Sequence, residues 1–163
     1  MIVIVIMGLV YLIGISSFDK ISKKEASKTV SLKNLKEFLR SFDFEDNVRV
    51  VCYNNCFRCK VIVDDSTQID IDTFVSKNIK VYVYDTRLGI NEYTNETFFD
   101  KNNVEQDVCF SYRLFKNGVG EQLLVEDNNK VYDFSRYFDD VAVYQNLEEV
   151  KNKKDDLLFE VTR

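Results

Sequence analysis

The chain opens with fifteen residues, MIVIVIMGLVYLIGI, that carry no charge and no strongly polar side chain. The run breaks only at Ser16 and Ser17, and then at Asp19 and Lys20. A segment of this kind leaves water for a bilayer or for another apolar surface. A hydrocarbon core asks for about 20 helical residues at about 1.5 Å rise each, and residues 1–18 fall slightly short of that. Ile2, Val3, Ile4, Val5 and Ile6 are mostly β-branched residues that in water favour a buried strand. Strands, however, usually stop near about six residues, so length argues for a helix, whose backbone groups satisfy one another in lipid. The expectation is a retained transmembrane helix over residues 1–18. A cleaved signal peptide and a soluble core strand compete with it, although no basic residue precedes the apolar stretch as a signal peptide would want.

The string Met1-Ile2-Val3-Ile4-Val5-Ile6-Met7-Gly8-Leu9-Val10 resembles the N-terminal helix of type IV pilins and type II secretion pseudopilins. In that family a short basic leader ending in glycine precedes Phe-Thr-Leu-(Ile/Leu)-Glu, and an apolar segment follows. Gly8 falls where the family commonly has its glycine, and Met1-Ile2-Val3 falls on its hydrophobic triplet. The leader, the cleavage site and the glutamate are missing from this sequence, so the resemblance implies either a translation start upstream of Met1 or, with Met1 the true start, no leader processing and no assembly role for that glutamate. It spans residues 1–18 of 163 and implies an α+β fold, in which the hydrophobic helix extends into an amphipathic helix packed on an antiparallel sheet. It implies a non-enzymatic minor pilin or pseudopilin of a type II secretion, type IV pilus or DNA-uptake apparatus. The partners would be other pilin-like subunits and the inner-membrane assembly platform, with a single-pass anchor and a periplasmic head. Ile2, Val3, Ile4, Val5, Ile6, Gly8 and Gly14 would form the assembly helix, the two glycines permitting close approach. Lys20, Lys23, Lys24 and Lys28 pull the other way, since basic flanks prefer the cytoplasmic side.

Residues 19–163 suffice for a single domain with its own core. Hydrophobic residues at 45% and charged residues at 30% read as globular rather than disordered. A net charge of −5 offers no field for nucleic acid. The chain has no histidine, which removes the commonest general base and metal ligand. No catalytic constellation and no cofactor motif is visible.

Cys52, Cys56, Cys59 and Cys109 are the four cysteines, three of them spaced Cys-x3-Cys-x2-Cys. Radical SAM enzymes share that spacing, but they need a large βα barrel that this β-rich chain does not build, and Arg58 stands where they favour an aromatic. A four-cysteine zinc site is chemically sensible, and free buried thiols are a third reading. An exported body would instead carry one or two disulfides. A hairpin of residues 48–53 and 58–63 turning at Asn54-Asn55 sets Cys52 opposite Cys59 and leaves Cys56 for Cys109; all three possible pairings stay open. The alternative function is therefore a bitopic membrane protein with a cysteine-dependent head, zinc-binding or redox-active.

Between residues 27 and 42, Val30, Leu32, Leu35, Phe38, Leu39 and Phe42 form a helical stripe, with Lys33, Asn34, Lys36, Glu37 and Arg40 opposite. With no proline or glycine from Ile15 to Phe42, one long helix is expected to leave the membrane and enter the head, with a break near residues 22–31 as the other option. Period-two patterning then predicts strands over 48–53, 58–63, 80–84, 108–115, 122–126, 130–134 and 141–144. Turn signals at 116–120 and 127–129 make residues 108–134 an antiparallel meander. Asn146 is expected to cap a last helix over 147–158. Asp64, Asp65, Asp70 and Asp72 resemble calcium ligands in type but lack the spacing of a calcium loop, so they read as a solvated turn. The many Phe and Tyr residues read as core and cross-strand pairs.

Overall fold

A computed structural model of the chain describes residues 30–100, 103–137 and 139–161. The expected transmembrane and assembly helix, residues 1–18, lies outside the described residues, as does Phe138. Among those described, no helix is long and apolar enough to cross a membrane.

The first described element is a 3₁₀ turn, Leu32–Asn34, that runs directly into helix α1, Leu35–Arg40. Ser31 before it is extended, at φ −147° and ψ 160°, and its backbone N–H donates to Asn34 Oδ1 at 2.8 Å. No helix passes through an extended residue. The continuous helix expected from the apolar segment to Phe42 is therefore cut at Ser31, and the pilin-like α+β build is not the architecture of this chain. Capping chemistry is the cause: Ser and Asn side chains satisfy terminal backbone groups locally and so compete with helix propagation. The apolar stripe survives on a smaller scale, with Leu32, Leu35, Phe38 and Leu39 all buried. Lys36, expected on the polar face, is only 4% exposed. Its ammonium donates to the carbonyl of Arg136 and, at 3.3 Å, to that of Asp139, tying α1 to a distant loop. Burial lowers its pKa, and Arg40 nearby adds to the effect.

Antiparallel strands make up most of the rest. In chain order they begin with β1, Asn47–Tyr53, β2, Arg58–Val63, β3, Thr67–Ile71, β4, Lys80–Asp85, and β5, Gly89–Glu92. A two-residue ribbon follows, β6, Phe98–Phe99, with β7, Glu105–Gln106. Then come β8, Val108–Phe115, β9, Leu124–Asp127, β10, Lys130–Asp133, and β11, Ala142–Tyr144. One sheet has the order β3-β2-β1-β8 and the other β11-β10-β9-β4-β5.

The two sheets and α1 share one core. Val48, Val50 and Val61 of the first sheet meet Val81 and Val125 of the second, together with Phe134, Leu35 and Leu39. Strand β8 shows why: Phe110, Tyr112 and Leu114 alternate inward and are fully buried, while Ser111 and Arg113 face the other side half-buried. The outer face of the first sheet carries a smaller cluster of Val51, Tyr53, Ile62 and Phe98. Over the outer face of the second sheet lies helix α2, Leu147–Val161, packed through Leu147 and Val150. Asn146 caps it by accepting the Glu149 N–H at 2.9 Å, and Glu149 reaches back to the Gln145 N–H at 2.8 Å. Lys154 pins the helix down through a 3.2 Å ion pair with the buried Asp133.

The expected meander over 108–134 is divided between the sheets. β8 belongs to the first and pairs with β1, whereas β9 and β10 belong to the second. After the turn at Gly118, at φ +82°, the chain returns to β8 for a single bridge between Leu114 and Gly120. Gly120 fits there because it has no side chain: a Cβ would stand 2.0 Å from the Tyr112 hydroxyl oxygen. Leu123 then turns into the shared core and Leu124 into the cluster under α2. Gly120→Ala should lower stability by about 1–3 kcal/mol through overpacking, read from urea denaturation midpoints. Tyr112→Phe should leave stability unchanged or raise it by up to about 1 kcal/mol, because the hydroxyl is buried without a partner.

Candidate functional site: a disulfide-closed hairpin tip

The four cysteines come together at one end of the first sheet. β1 and β2 form a hairpin whose register sets Cys52 opposite Cys59, and these two are joined by a disulfide. The loop between the strands turns on Asn54, Asn55 and Cys56, all three left-handed at φ 54°, 54° and 63°. Asparagine visits that region readily, and cysteine does so at some cost. Cys56 is held there by its disulfide to Cys109 and by the Thr73 hydroxyl, which donates to its carbonyl at 2.6 Å.

Cys109 reaches the tip through a bulge. Cys52 pairs with Phe110 while its neighbour Tyr53 pairs with Val108, so Cys109 is the extra residue in β8. A bulge re-aims a side chain that strict alternation would send to the opposite face. The Cys109 sulfur ends 3.2 Å from the Cys52 carbonyl oxygen, beside the first disulfide.

The sulfurs in this arrangement are not thiolates, and only thiolates ligate zinc. Among the described residues no group of three or more His, Cys, Asp or Glu is placed to hold a metal ion. Thiol exchange requires access to a sulfur; Cys52, Cys56 and Cys59 are 0%, 3% and 1% exposed, while Cys109 is partly buried. The cluster closes the hairpin tip on itself and ties it to β8.

Beside the tip lies an open groove of about 490 Å³, lined by Phe57, Arg58, Asp70, Ile71, Asp72 and Thr73. Phe57 stays 56% exposed at its rim, with the Lys77 ammonium 4.2 Å from its ring centre. This rim escapes a reading by sequence pattern, because an aromatic next to a turn is ordinarily core.

The acidic stretch after β2 is structural, and part of it is strand rather than loop. Asp64 and Asp65 make the left-handed turn at φ 47° and 54°. The Asp64 carboxylate accepts the backbone N–H groups of Glu45, Asp46 and Asn47 at 2.9, 2.8 and 3.1 Å. Asp65 pairs with Arg49 at 3.5 Å, and Asp70, already within β3, with Lys60 at 3.8 Å. Of the aromatics, Phe110, Tyr112 and Phe134 are buried. Tyr82 donates to Glu126 at 3.0 Å, and burial together with that carboxylate pushes its pKa up to about 12. Tyr84 donates to Asp155 at 3.0 Å.

Comparison with family models, with curated proteins and with solved structures finds no match for the chain.

The disulfides span 7 and 53 residues, and loop-closure entropy scales with that span. Replacing Cys52 and Cys59 by serine should cost about 2.5 kcal/mol, and replacing Cys56 and Cys109 about 4 kcal/mol, in guanidinium denaturation. For Asp64, the three backbone donors hold its carboxyl below the usual carboxylate range. Its contribution is present above the unfolded pKa of about 3.9 and is lost as pH falls through the lower folded value. Urea midpoints measured from about pH 5 down to pH 2 should therefore fall further for wild type than for Asp64→Asn.

Proposed function

We propose that the chain is a non-catalytic subunit of an envelope or surface assembly, with residues 1–18 anchoring it in a membrane and its β-rich head on the oxidising side. The observation that carries this is the pair of disulfides closing the hairpin tip, three of whose four cysteines are buried. Disulfides form and persist in exported compartments and are rare where glutathione keeps thiols reduced. The apolar run at the start of the chain supplies the tether. A head stiffened at one end, with an exposed aromatic beside an open groove, suits recognition of a partner more than turnover of a substrate.

The assembly role is of the kind that minor pilins fill, and for that narrower reading residues 1–10 are the support. The head contributes no pilin-like helix to it, because Ser31 interrupts the chain there. An inner-membrane, single-pass position with a periplasmic head is the corresponding bacterial placement.

The reading is tested on native material, separated into membrane and aqueous fractions and alkylated without reductant. The protein should sit with the membranes, take up no alkyl group until reduced, and take up four afterwards. Recovery in the aqueous fraction, or thiols that alkylate before reduction, would sink it.

A further inference from the structure

On the outer face of the first sheet, β1 and β8 set Arg49 directly opposite Arg113. Like charges in a directly opposed cross-strand pair repel. Asp65 relieves Arg49 in part, at 3.5 Å and half exposed. The Arg113 guanidinium closes no ion pair among the described residues. Glu121 lies close by, but its Oε2 is occupied by the Arg113 backbone N–H at 2.9 Å.

Three polar atoms here are buried without a hydrogen-bond partner: Arg49 Nε, Arg113 Nε and Asn95 Oδ1. Their residues line one small polar cavity of about 60 Å³, together with Ser111, Tyr93 and Glu121. A buried donor or acceptor left without a partner is costly, so three in one cavity point to something polar that satisfies all of them. The orientation of Asn95 is settled by its neighbour. Its Nδ2 donates to the Cys109 carbonyl at 3.1 Å, and a carbonyl only accepts, which leaves Oδ1 as the free acceptor.

The lining thus combines two guanidinium groups and the hydroxyls of Tyr93, Thr97 and Ser111 with three acceptors, Asn95 Oδ1 and the carboxylates of Glu96, which is exposed, and Glu121. A fully deprotonated oxyanion such as sulfate has no proton to give an acceptor. An oxyanion that keeps a proton at neutral pH does. We infer that this cavity binds monohydrogen phosphate, with Arg49, Arg113 and Ser111 donating to its oxygens and Asn95 or Glu121 accepting its P–O–H proton. Fork-shaped guanidinium groups suit phosphate geometry, and the volume holds one small oxyanion.

Burial raises the Glu121 pKa and the Glu96 carboxylate adds to the rise, while the Arg113 backbone amide and the guanidiniums of Arg113 and Arg49 pull it back.

The site is independent of the disulfides and of the anchor, so its failure leaves the preceding proposal standing. The test is calorimetric titration of the full chain in detergent micelles at pH 7 with inorganic phosphate, sulfate and phenyl phosphate. Phosphate should bind saturably, at least about tenfold tighter than sulfate, which corresponds to about 1.4 kcal/mol. Phenyl phosphate, whose second pKa of about 6 leaves it mostly without a P–O–H proton at pH 7, should bind more weakly than phosphate, and binding as tight as phosphate would overturn the assignment. Arg113→Gln and Arg49→Gln, each checked for a cooperative denaturation transition, should weaken phosphate at least tenfold. Glu121→Gln keeps an acceptor for the Arg113 N–H but removes the charge, and should narrow the phosphate-to-sulfate ratio several-fold. Absent phosphate binding in wild type, equal affinity for the two inorganic anions, or an unchanged ratio in Glu121→Gln would overturn the assignment.

Discussion

Strand β1 is paired along both edges and covered on both faces, and the rest of the head is arranged around that burial. Val48, Val50 and Cys52 point into the core shared with the second sheet, while Val51 and Tyr53 point into the smaller cluster under the β6–β7 ribbon. A strand in this position leaves no free backbone groups at its edges and no solvent face on most of its length. Its neighbours are therefore constrained in register, since a slip by one residue would send valines to the Arg49 side and Arg49 into the core. Asn47 and Arg49 depart from the apolar pattern on that face, and Arg49 does so where the cover by the ribbon ends and the polar cavity begins.

The hairpin tip inherits that register. Because Cys52 and Cys59 are fixed opposite each other, the first disulfide adds a covalent bond to a pairing the backbone already makes. The second is of a different kind, since it needs a left-handed Cys56 and a bulge at Cys109 that no local preference of those residues supplies. Local departures of this sort persist when surrounding structure over-determines them. Here the Thr73 hydroxyl, the neighbouring disulfide and the buried strand do so, and the result is a stiff end beside an open groove.

Charge plays a stapling part throughout. Asp64 gathers the three amides that lead into β1, Lys36 binds carbonyls of a loop about a hundred residues further along the chain, and Lys154 holds α2 against Asp133. In each case the charged group meets backbone polar groups or a half-buried partner rather than a distant exposed ion, which is where such contacts contribute most. The Arg49–Arg113 pair differs: Arg49 meets Asp65, while Arg113 closes no ion pair among the described residues and lines the polar cavity.

Much of the β architecture was legible in residue patterns, because alternation is a local property: β8 follows Phe110, Tyr112 and Leu114, and the hairpin follows its paired asparagines. The cap of α2 was equally visible, since Asn146 and Glu149 act within one turn. What escaped was decided at a distance. The stripe through residues 30–42 is real, yet Ser31 and Asn34 cap it into a short helix, and periodicity does not record where a helix starts. Asp70 reads as turn chemistry until β2 offers a ladder for β3 and Lys60 an ion pair. The meander was read from turn signals at Gly118 and Gly120, which show that the chain reverses but not which sheet it rejoins; the Tyr112 hydroxyl over Gly120 and the split of Leu123 from Leu124 decided that. By itself the sequence determined which residues are strand-forming, which are apolar, and that three cysteines cluster around a hairpin turn. Only the tertiary structure decided which face each strand buries, that Cys109 bulges toward Cys56, and that Arg49 meets Arg113, because these depend on contacts between residues far apart in the chain.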